Sequence, residues 1–204
     1  MVSSKRIVVF ASGSGTNFIN IYQNVNNGNV VLLISNNPES GAVKYAIENN
    51  IDYKVINDFR YPGIINIEYE NTLKKYNPDL ILLAGFMKKI PDNVIRLYEN
   101  KIINIHPSLL PKYGGKGCYG IKVHEFVINS KDKVTGATIH FINNEYDRGP
   151  IIMQKTVTVD KNDTEETLAK KILPLEHLIF PRALDLLTSH KLKIEKGKVI
   201  IEAN

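Results

Sequence analysis

The stretch KRIVVFASGSGTN, residues 5–17, decides the fold class. Its first part, residues 5–11, is short, rich in β-branched side chains and almost wholly apolar after Arg6, which is typical of a buried parallel strand. A glycine turn ends this strand. Apolar residues then recur at helical spacing over residues 16–25, which predicts an amphipathic helix. The order of strand, glycine turn and helix predicts the start of a parallel α/β sheet.

The same alternation continues to residue 106. Apolar runs predict further strands at residues 29–35, 53–56, 79–84 and 101–106, and amphipathic runs predict helices at 40–49 and 64–76. We therefore expect a doubly wound α/β domain, in which a mostly parallel sheet carries helices on both faces.

The pattern changes after residue 106. A loop rich in proline and glycine (107–117) leads to a predicted helix (121–129) and then to two long strands, 134–142 and 151–159, which predict an antiparallel extension of the sheet. Asp163 and Glu166 are spaced like a capping box for a last helix that runs to about Ser189, with a kink or break expected at Pro174. Residues 192–202 predict a small hairpin. With no internal repeat or linker, we expect one domain over residues 1–204.

The composition excludes several classes of protein. Hydrophobic residues make up 43% and charged residues 23% of the chain, which argues against disorder and against a fibrous repeat. No apolar run approaches the roughly 20 residues of a membrane helix, a typical secretory signal is absent, and the single cysteine, Cys118, excludes an internal disulfide. The lysines behind the net charge of +5 are scattered. We expect a cytoplasmic protein with small anionic ligands and with neither a nucleic-acid nor a membrane partner.

The glycine turn is the first candidate site. Gly13 and Gly15 allow the backbone to approach a ligand, and the following helix directs its free N–H groups and positive dipole end at the same place. Ser14, Thr16 and Asn17 add side-chain donors, and a monophosphate fits better than a dinucleotide because Phe18 replaces the third glycine of the dinucleotide pattern. The alternative is a turn that only joins strand to helix.

A second candidate site lies at the end of the fifth predicted strand. Asn104 and His106 are two residues apart, so they point to the same face of that strand, at the carboxyl end where α/β sheets bind ligands. An amide beside an imidazole can stabilise the oxyanion formed by attack on a carbonyl. A carboxylate from Asp147 would orient the imidazole and raise its pKa. Taken alone, His106 also fits a structural residue and Asp147 a turn residue.

The remaining candidates are weaker. Phe86, Met87 and Ile90 follow the fourth strand, where they fit either an apolar slot for a flat ring or ordinary core packing. His124 and His140 are interpreted as packing or surface residues. No cluster of cysteines and histidines has metal-ligand spacing, so we expect no metal site.

Taken together, four blocks resemble the phosphoribosylglycinamide formyltransferase family, within the formyltetrahydrofolate-dependent transferase superfamily. They are GSGTN (13–17), LAGFM (83–87), NIHPSLLP (104–111) and Asp147 with Gly149-Pro150. The likeness covers about residues 5–190. The third block is common to the whole superfamily, whereas the glycine loop and the short length favour the glycinamide enzyme over methionyl-tRNA formyltransferase and the deformylase.

The resemblance implies the following roles. In catalysis by direct attack of the amine, Asn104 and His106 would stabilise the oxyanion and Asp147 would assist them. The ribose phosphate would be bound by Gly13, Ser14, Gly15, Thr16 and Asn17, and the glycinamide by Glu176. The co-substrate 10-formyltetrahydrofolate would be bound by Met87, Lys88, Lys89, Ile90, Asn104, Asn143, Asn144, Glu145, Tyr146 and Asp147, with no metal. Lys88-Lys89 and Leu173 depart from the family pattern, which puts the contacts at those positions in question.

The implied function is formyl transfer to the amine of 5'-phosphoribosylglycinamide in purine biosynthesis, by a monomer or homodimer. Two alternatives remain: a hydrolase that releases formate from the same folate, and a non-catalytic folate- or nucleotide-binding protein. A nicotinamide-dependent oxidoreductase fits less well, because no acidic residue ends the second strand.

Overall fold

The computed structural model describes residues 4–189 and 191–201. The chain divides into two compact units, Met1–Ile103 and Asn104–Asn204. The expectation of one domain therefore stays a prediction, and each unit is described by itself. The strands are β1 (Lys5–Phe10), β2 (Gly28–Ser35), β3 (Tyr53–Val55), β4 (Leu80–Leu83), β5 (Ile102–His106), β6 (Val134–Phe141), β7 (Ile151–Thr158), β8 (Leu192–Glu195) and β9 (Lys198–Ile201). The helices are α1 (Thr16–Asn24), α2 (Gly41–Glu48), α3 (Ile65–Tyr76), α4 (Asp92–Leu97), α5 (Ile121–Asn129) and α6 (Glu165–Thr188).

In the first unit the strand order is β3-β2-β1-β4, followed by the start of β5. Strand β1 pairs in parallel with β2 and with β4, and β2 pairs in parallel with β3. Ile7, Val8, Val9 and Phe10 are completely buried, which explains why β1 is a continuous apolar run. The parallel sheet predicted from the sequence is confirmed.

In the second unit the strand order is β5-β6-β7, and β6 pairs with β7 in antiparallel fashion. Strand β6 is buried from Thr135 onward, whereas β7 is mostly exposed. Gly136 permits close pairing, since an added Cβ would lie 1.9 Å from the carbonyl oxygen of Lys155. The predicted antiparallel extension is confirmed, as is the terminal hairpin of β8 and β9 within the described residues.

One helix was missed, and two features expected of α6 differ from the structure: its capping residue and a break at Pro174. Helix α4 was not predicted. Thr164, not Asp163, caps α6, because its hydroxyl accepts from the N–H of Thr167 while Asp163 forms an ion pair with Lys171 at 2.6 Å. Pro174 does not divide α6, which runs unbroken from residue 165 to 188. Eight buried residues of this helix provide the packing that offsets the lost backbone hydrogen bond.

Candidate functional site

Strand β5 ends with two polar residues that make specific contacts. Asn104 and His106 are two residues apart, and His106 is only 4% exposed. The side-chain nitrogen Nδ2 of Asn104 lies 3.1 Å from Nε2 of His140 on β6. Both residues therefore belong to a polar cluster inside the second unit, whose other members are His140 and Asp147.

His140 has a defined tautomer. Its Nδ1 lies 2.8 Å from the carbonyl oxygen of Phe141, which can only accept, so Nδ1 carries the proton. Nε2 is then a bare acceptor that faces the Asn104 amide and directs the NH₂ group toward it. Complete burial lowers the pKa of His140 to about 4, which keeps this arrangement neutral at physiological pH. The sequence-based interpretation of His140 as a packing or surface residue missed this contact.

Asp147 lies between two imidazoles. Its Oδ2 is 3.8 Å from Nδ1 of His106, and its Oδ1 is 3.7 Å from Nε2 of His140. The backbone N–H of Gly115 donates to Oδ2 at 2.8 Å. The sequence predicted that the Asp147 carboxylate approaches the His106 ring, and the distance confirms that the two groups are neighbours.

Two glycines let the loops around Asp147 approach closely. A Cβ on Gly149 would lie 1.8 Å from the carbonyl oxygen of Phe141, and one on Gly114 would lie 3.0 Å from the Cβ of Asp147. The backbone clash at position 149 requires glycine there, and at position 114 glycine permits close packing against Asp147. These close contacts bring residues 143–150 and the loop after β5 together at the carboxylate.

The charge state of His106 differs from the expectation. Nε2 lies 2.8 Å from the carbonyl oxygen of Tyr113, so it carries the proton, and in the neutral ring Nδ1 is a bare lone pair facing Asp147. Burial lowers the pKa of His106 below its ordinary value of 6.5, although Asp147 and the Tyr113 carbonyl both act to raise it. The expectation of a raised pKa was wrong, because desolvation outweighs the nearby carboxylate.

The predicted phosphate loop lies in the first unit. Gly15 has a φ of +83° and caps α1 without a side-chain hydrogen bond. The positive end of the helix dipole at this position favours an anion. Gly41, at the start of α2, packs against this loop: a Cβ there would lie 2.3 Å from the carbonyl oxygen of Ser14.

The segment after β4 joins the same end of the first unit. The hydroxyl of Ser12 donates to Oδ1 of Asn36 at 2.5 Å and accepts from the N–H of Met87 at 3.4 Å. Met87 is 52% exposed, whereas Ile90 is buried and the Phe86 ring packs edge-on against Phe10 at 5.1 Å. Core packing therefore describes Phe86 and Ile90, and only Met87 presents an exposed apolar side chain.

The other predicted site residues are dispersed. Glu176 is buried on α6 at 8% exposure. Lys88 and Lys89 are exposed, as are Asn143, Asn144, Glu145 and Tyr146. Oδ1 of Asn143 accepts from the N–H of Glu145 at 3.0 Å, which shapes the loop before Asp147.

Within residues 4–189 and 191–201, no group of three or more histidines, cysteines or carboxylates could hold a metal ion. In the same part of the chain, no helix combines the length and apolar character needed to span a membrane.

This fold and this polar cluster define a class. The chain matches the formyl transferase family model over residues 5–184 and belongs to that family. It is 42% identical to a chloroplastic phosphoribosylglycinamide formyltransferase of Arabidopsis thaliana, over 98% of this chain and 71% of that protein. It is 34% identical to the phosphoribosylglycinamide formyltransferase of Bacillus subtilis (strain 168), over 88% of this chain and 93% of that one.

A solved structure of the same family has the same fold. A crystal structure of glycinamide ribonucleotide transformylase 1 from Symbiobacterium toebii superposes with a TM-score of 0.92 at 32% identity, covering 100% of this chain and 96% of that one. The predicted fold class, a mostly parallel α/β sheet with an antiparallel extension, is the fold of this family.

Proposed function

We propose that this chain transfers the formyl group of 10-formyltetrahydrofolate to the amine of 5'-phosphoribosylglycinamide in purine biosynthesis. The observation that carries the proposal is the position of the Asp147 carboxylate, within 4 Å of both His106 and His140, in a chain 42% identical to a protein named for this activity. Asn104, hydrogen-bonded to the same His140, completes the group.

Substrate binding is assigned residue by residue, as the resemblance implies. The loop Gly13, Ser14, Gly15, Thr16 and Asn17 would bind the phosphate, since the uncapped start of α1 favours an anion. Glu176 would bind the glycinamide portion. Met87, Lys88, Lys89, Ile90, Asn143, Asn144, Glu145 and Tyr146 would line the site of the folate. Because Ile90 is buried, its contribution would come from the backbone.

The first chemical step is attack of the substrate amine on the formyl carbon. A carbon–nitrogen bond forms and the carbonyl π electrons move to the oxygen. Asn104 has two N–H groups, of which one faces His140, so the other can donate to the oxyanion. A well-placed donor of this kind is worth about 3–4 kcal/mol in the transition state.

Proton transfer, rather than the oxyanion stabilisation expected from the sequence, is assigned to His106, because its lowered pKa leaves the ring neutral. In the neutral ring Nδ1 has no proton, so it can take the proton that the attacking amine must lose. The imidazolium that results lies 3.8 Å from Asp147, which stabilises it beside the oxyanion. When the bond from carbon to the folate nitrogen breaks, that nitrogen takes the proton from His106, directly or through one water.

A hydrolase that releases formate is the second candidate, because the same three residues can act with water as the nucleophile. The glycine loop favours the transferase. A water nucleophile needs no phosphate site, whereas the start of α1, with no side-chain cap at Gly15, and the close packing of Gly41 support one.

The fate of a labelled formyl group tests the proposal. The protein is given 10-formyltetrahydrofolate with carbon-13 in the formyl group, together with 5'-phosphoribosylglycinamide. We expect the label in the formylated amide product. Label recovered as formate supports the hydrolase, and unconsumed donor supports the non-catalytic binding protein.

The cytoplasmic location and the monomeric or homodimeric state expected from the sequence are also proposals. The Arabidopsis relative is named as chloroplastic, so fractionation of the source cells is the appropriate test of location.

A further inference from the structure

Tyr113 links the His106 ring to an ion pair on the surface of the second unit. Its carbonyl oxygen lies 2.8 Å from Nε2 of His106, and its hydroxyl donates to Oδ2 of Asp132 at 2.8 Å. One residue thus contacts the ring through its backbone and the carboxylate through its side chain.

Asp132 fixes the Tyr113 side chain by accepting a hydrogen bond from its hydroxyl. It lies between α5 and β6, and it also accepts from the ammonium of Lys112 at 2.6 Å. These two donors lower the pKa of Asp132, so it remains an ionised acceptor. Charged acceptors make stronger hydrogen bonds than neutral ones, which favours a fixed Tyr113 hydroxyl.

The backbone of Tyr113 needs such an anchor. Its φ is +54°, in the left-handed region that residues other than glycine seldom adopt. A conformation of this kind persists only where the surroundings impose it. The contacts at both ends of Tyr113 supply that constraint.

Several ionisable groups face His106, but among the residues that the structure describes, the hydrogen-bond partner of its ring is the Tyr113 carbonyl. Asp147, from residues 143–150, stays 3.8 Å from Nδ1. His124 on α5 and His140 on β6 lie near enough for like-charge repulsion, and burial lowers the pKa of each to about 4, so both are neutral near pH 7. Among residues 4–189 and 191–201, the Tyr113 carbonyl is therefore the hydrogen-bond acceptor that favours the proton on Nε2 of neutral His106.

We propose that the Tyr113–Asp132 hydrogen bond is a positioning device, which holds the Tyr113 carbonyl against Nε2 of His106 and so keeps Nδ1 free to accept a proton. The inference rests on the proton-transfer role proposed above for His106. Tyr113 and Asp132 are positioning residues, since they act through His106.

The test uses Tyr113→Phe, which removes the hydroxyl and keeps the ring. We expect kcat to fall roughly fivefold to tenfold, the change that corresponds to one ordinary hydrogen bond, with the KM for the ribonucleotide unchanged. Because the Tyr113 carbonyl raises the pKa of His106, a looser carbonyl should also move the acidic limb of the kcat profile to lower pH.

Nitrogen-15 NMR of the imidazole supplies a readout independent of turnover. In the wild-type protein we expect His106 with the proton on Nε2, and in Tyr113→Phe a mixture of the two tautomers. Asp132→Ala should have the same effects, and the double variant should be no worse than either single one, because the two side chains form one interaction.

Tyr76→Phe is the matched control. It removes another tyrosine hydroxyl that donates to a carboxylate, that of Asp52 at 3.0 Å in the first unit, and should change neither readout. A His106 signal in Tyr113→Phe identical to wild type, or mixed tautomers with unchanged kcat, would overturn the proposal. Failure of the proposed function is distinct: it would appear as label in formate or as unconsumed donor with the wild-type protein, whereas retained turnover in His106→Asn would refute only the proton-transfer role of His106.

Discussion

The side-chain nitrogen of Asn104 lies 3.1 Å from Nε2 of His140, and this contact determines which way the Asn104 amide faces. The other ring nitrogen of His140, Nδ1, carries the proton and donates it to the carbonyl oxygen of Phe141 over an N···O distance of 2.8 Å. A backbone carbonyl therefore orients a buried histidine, and the histidine orients the amide proposed to bind the oxyanion. Support of this kind keeps a donor in place without reorganisation during the reaction.

His140→Ala should lower kcat roughly tenfold, because the Asn104 amide loses the acceptor that orients it. The KM for the ribonucleotide should stay within about twofold of wild type. His177→Ala, a change of the same type on α6, should leave kcat unaltered. Steady-state kinetics with both substrates varied measures the effect, and equal kcat in the two variants would refute the orienting role.

Asp147→Asn should lower kcat on the order of a hundredfold. The amide oxygen can still accept from the N–H of Gly115, but it no longer stabilises the His106 imidazolium. Binding of the ribonucleotide, measured by calorimetry, should be unchanged. Turnover at the wild-type rate would show that His106 needs no counter-charge.

Gly41→Ala should weaken ribonucleotide binding. The added methyl group would lie 2.3 Å from the carbonyl oxygen of Ser14, so the loop proposed to bind the phosphate must shift. We expect the KM for the ribonucleotide to rise about tenfold with little change in kcat. Lys44→Ala, on the exposed side of the same helix, is the control. Parallel increases in both variants would trace the effect to α2 as a whole.

Stability should depend on pH through His124, which is 5% exposed. Burial lowers its pKa from 6.5 to about 4, so the unfolded chain binds a proton more readily than the folded one. The contribution of neutral His124 to the free energy of unfolding is fully present above pH 6.5 and is lost progressively as the pH falls toward 4. The difference between the two pKa values corresponds to about 3 kcal/mol.

Urea unfolding between about pH 7.5 and pH 4.5 measures this loss. His124→Leu should lose about 2 kcal/mol less than wild type over that range. Phe126→Leu, an uncharged change at an exposed position of α5, should follow the wild-type curve. Identical curves for all three proteins would show that His124 does not carry the effect.

The sequence predicted an element correctly wherever burial or helical periodicity alone determines its pattern. Helix α5 has the predicted bounds, and β1 was predicted to within one residue, because burial on both sides dictates an apolar run. Helix α4 was missed because it has only six residues and no side-chain cap. The break expected at Pro174 does not occur, because tertiary packing, which the sequence does not display, outweighs local propensity.

Some features of the candidate site could likewise be predicted from the sequence and others could not. Asn104, His106 and Asp147 were predicted from residue type and from the resemblance, and the structure places Asp147 beside His106. His140 was missed, although Thr138 and His140 lie two residues apart on one face of a mostly apolar strand, which was a usable signal. The lowered pKa of His106 was out of reach, since it depends on burial by distant segments.

The most direct test of the account is the initial rate at which the formyl donor is consumed, measured with three acceptors: 5'-phosphoribosylglycinamide, the same compound without its phosphate, and water alone. We predict rapid consumption with the first and a rate at least about a hundredfold lower with the second, because the anchor at the start of α1 is lost. With water alone we predict no consumption above background. Equal rates with all three would contradict transfer to a phosphate-anchored amine.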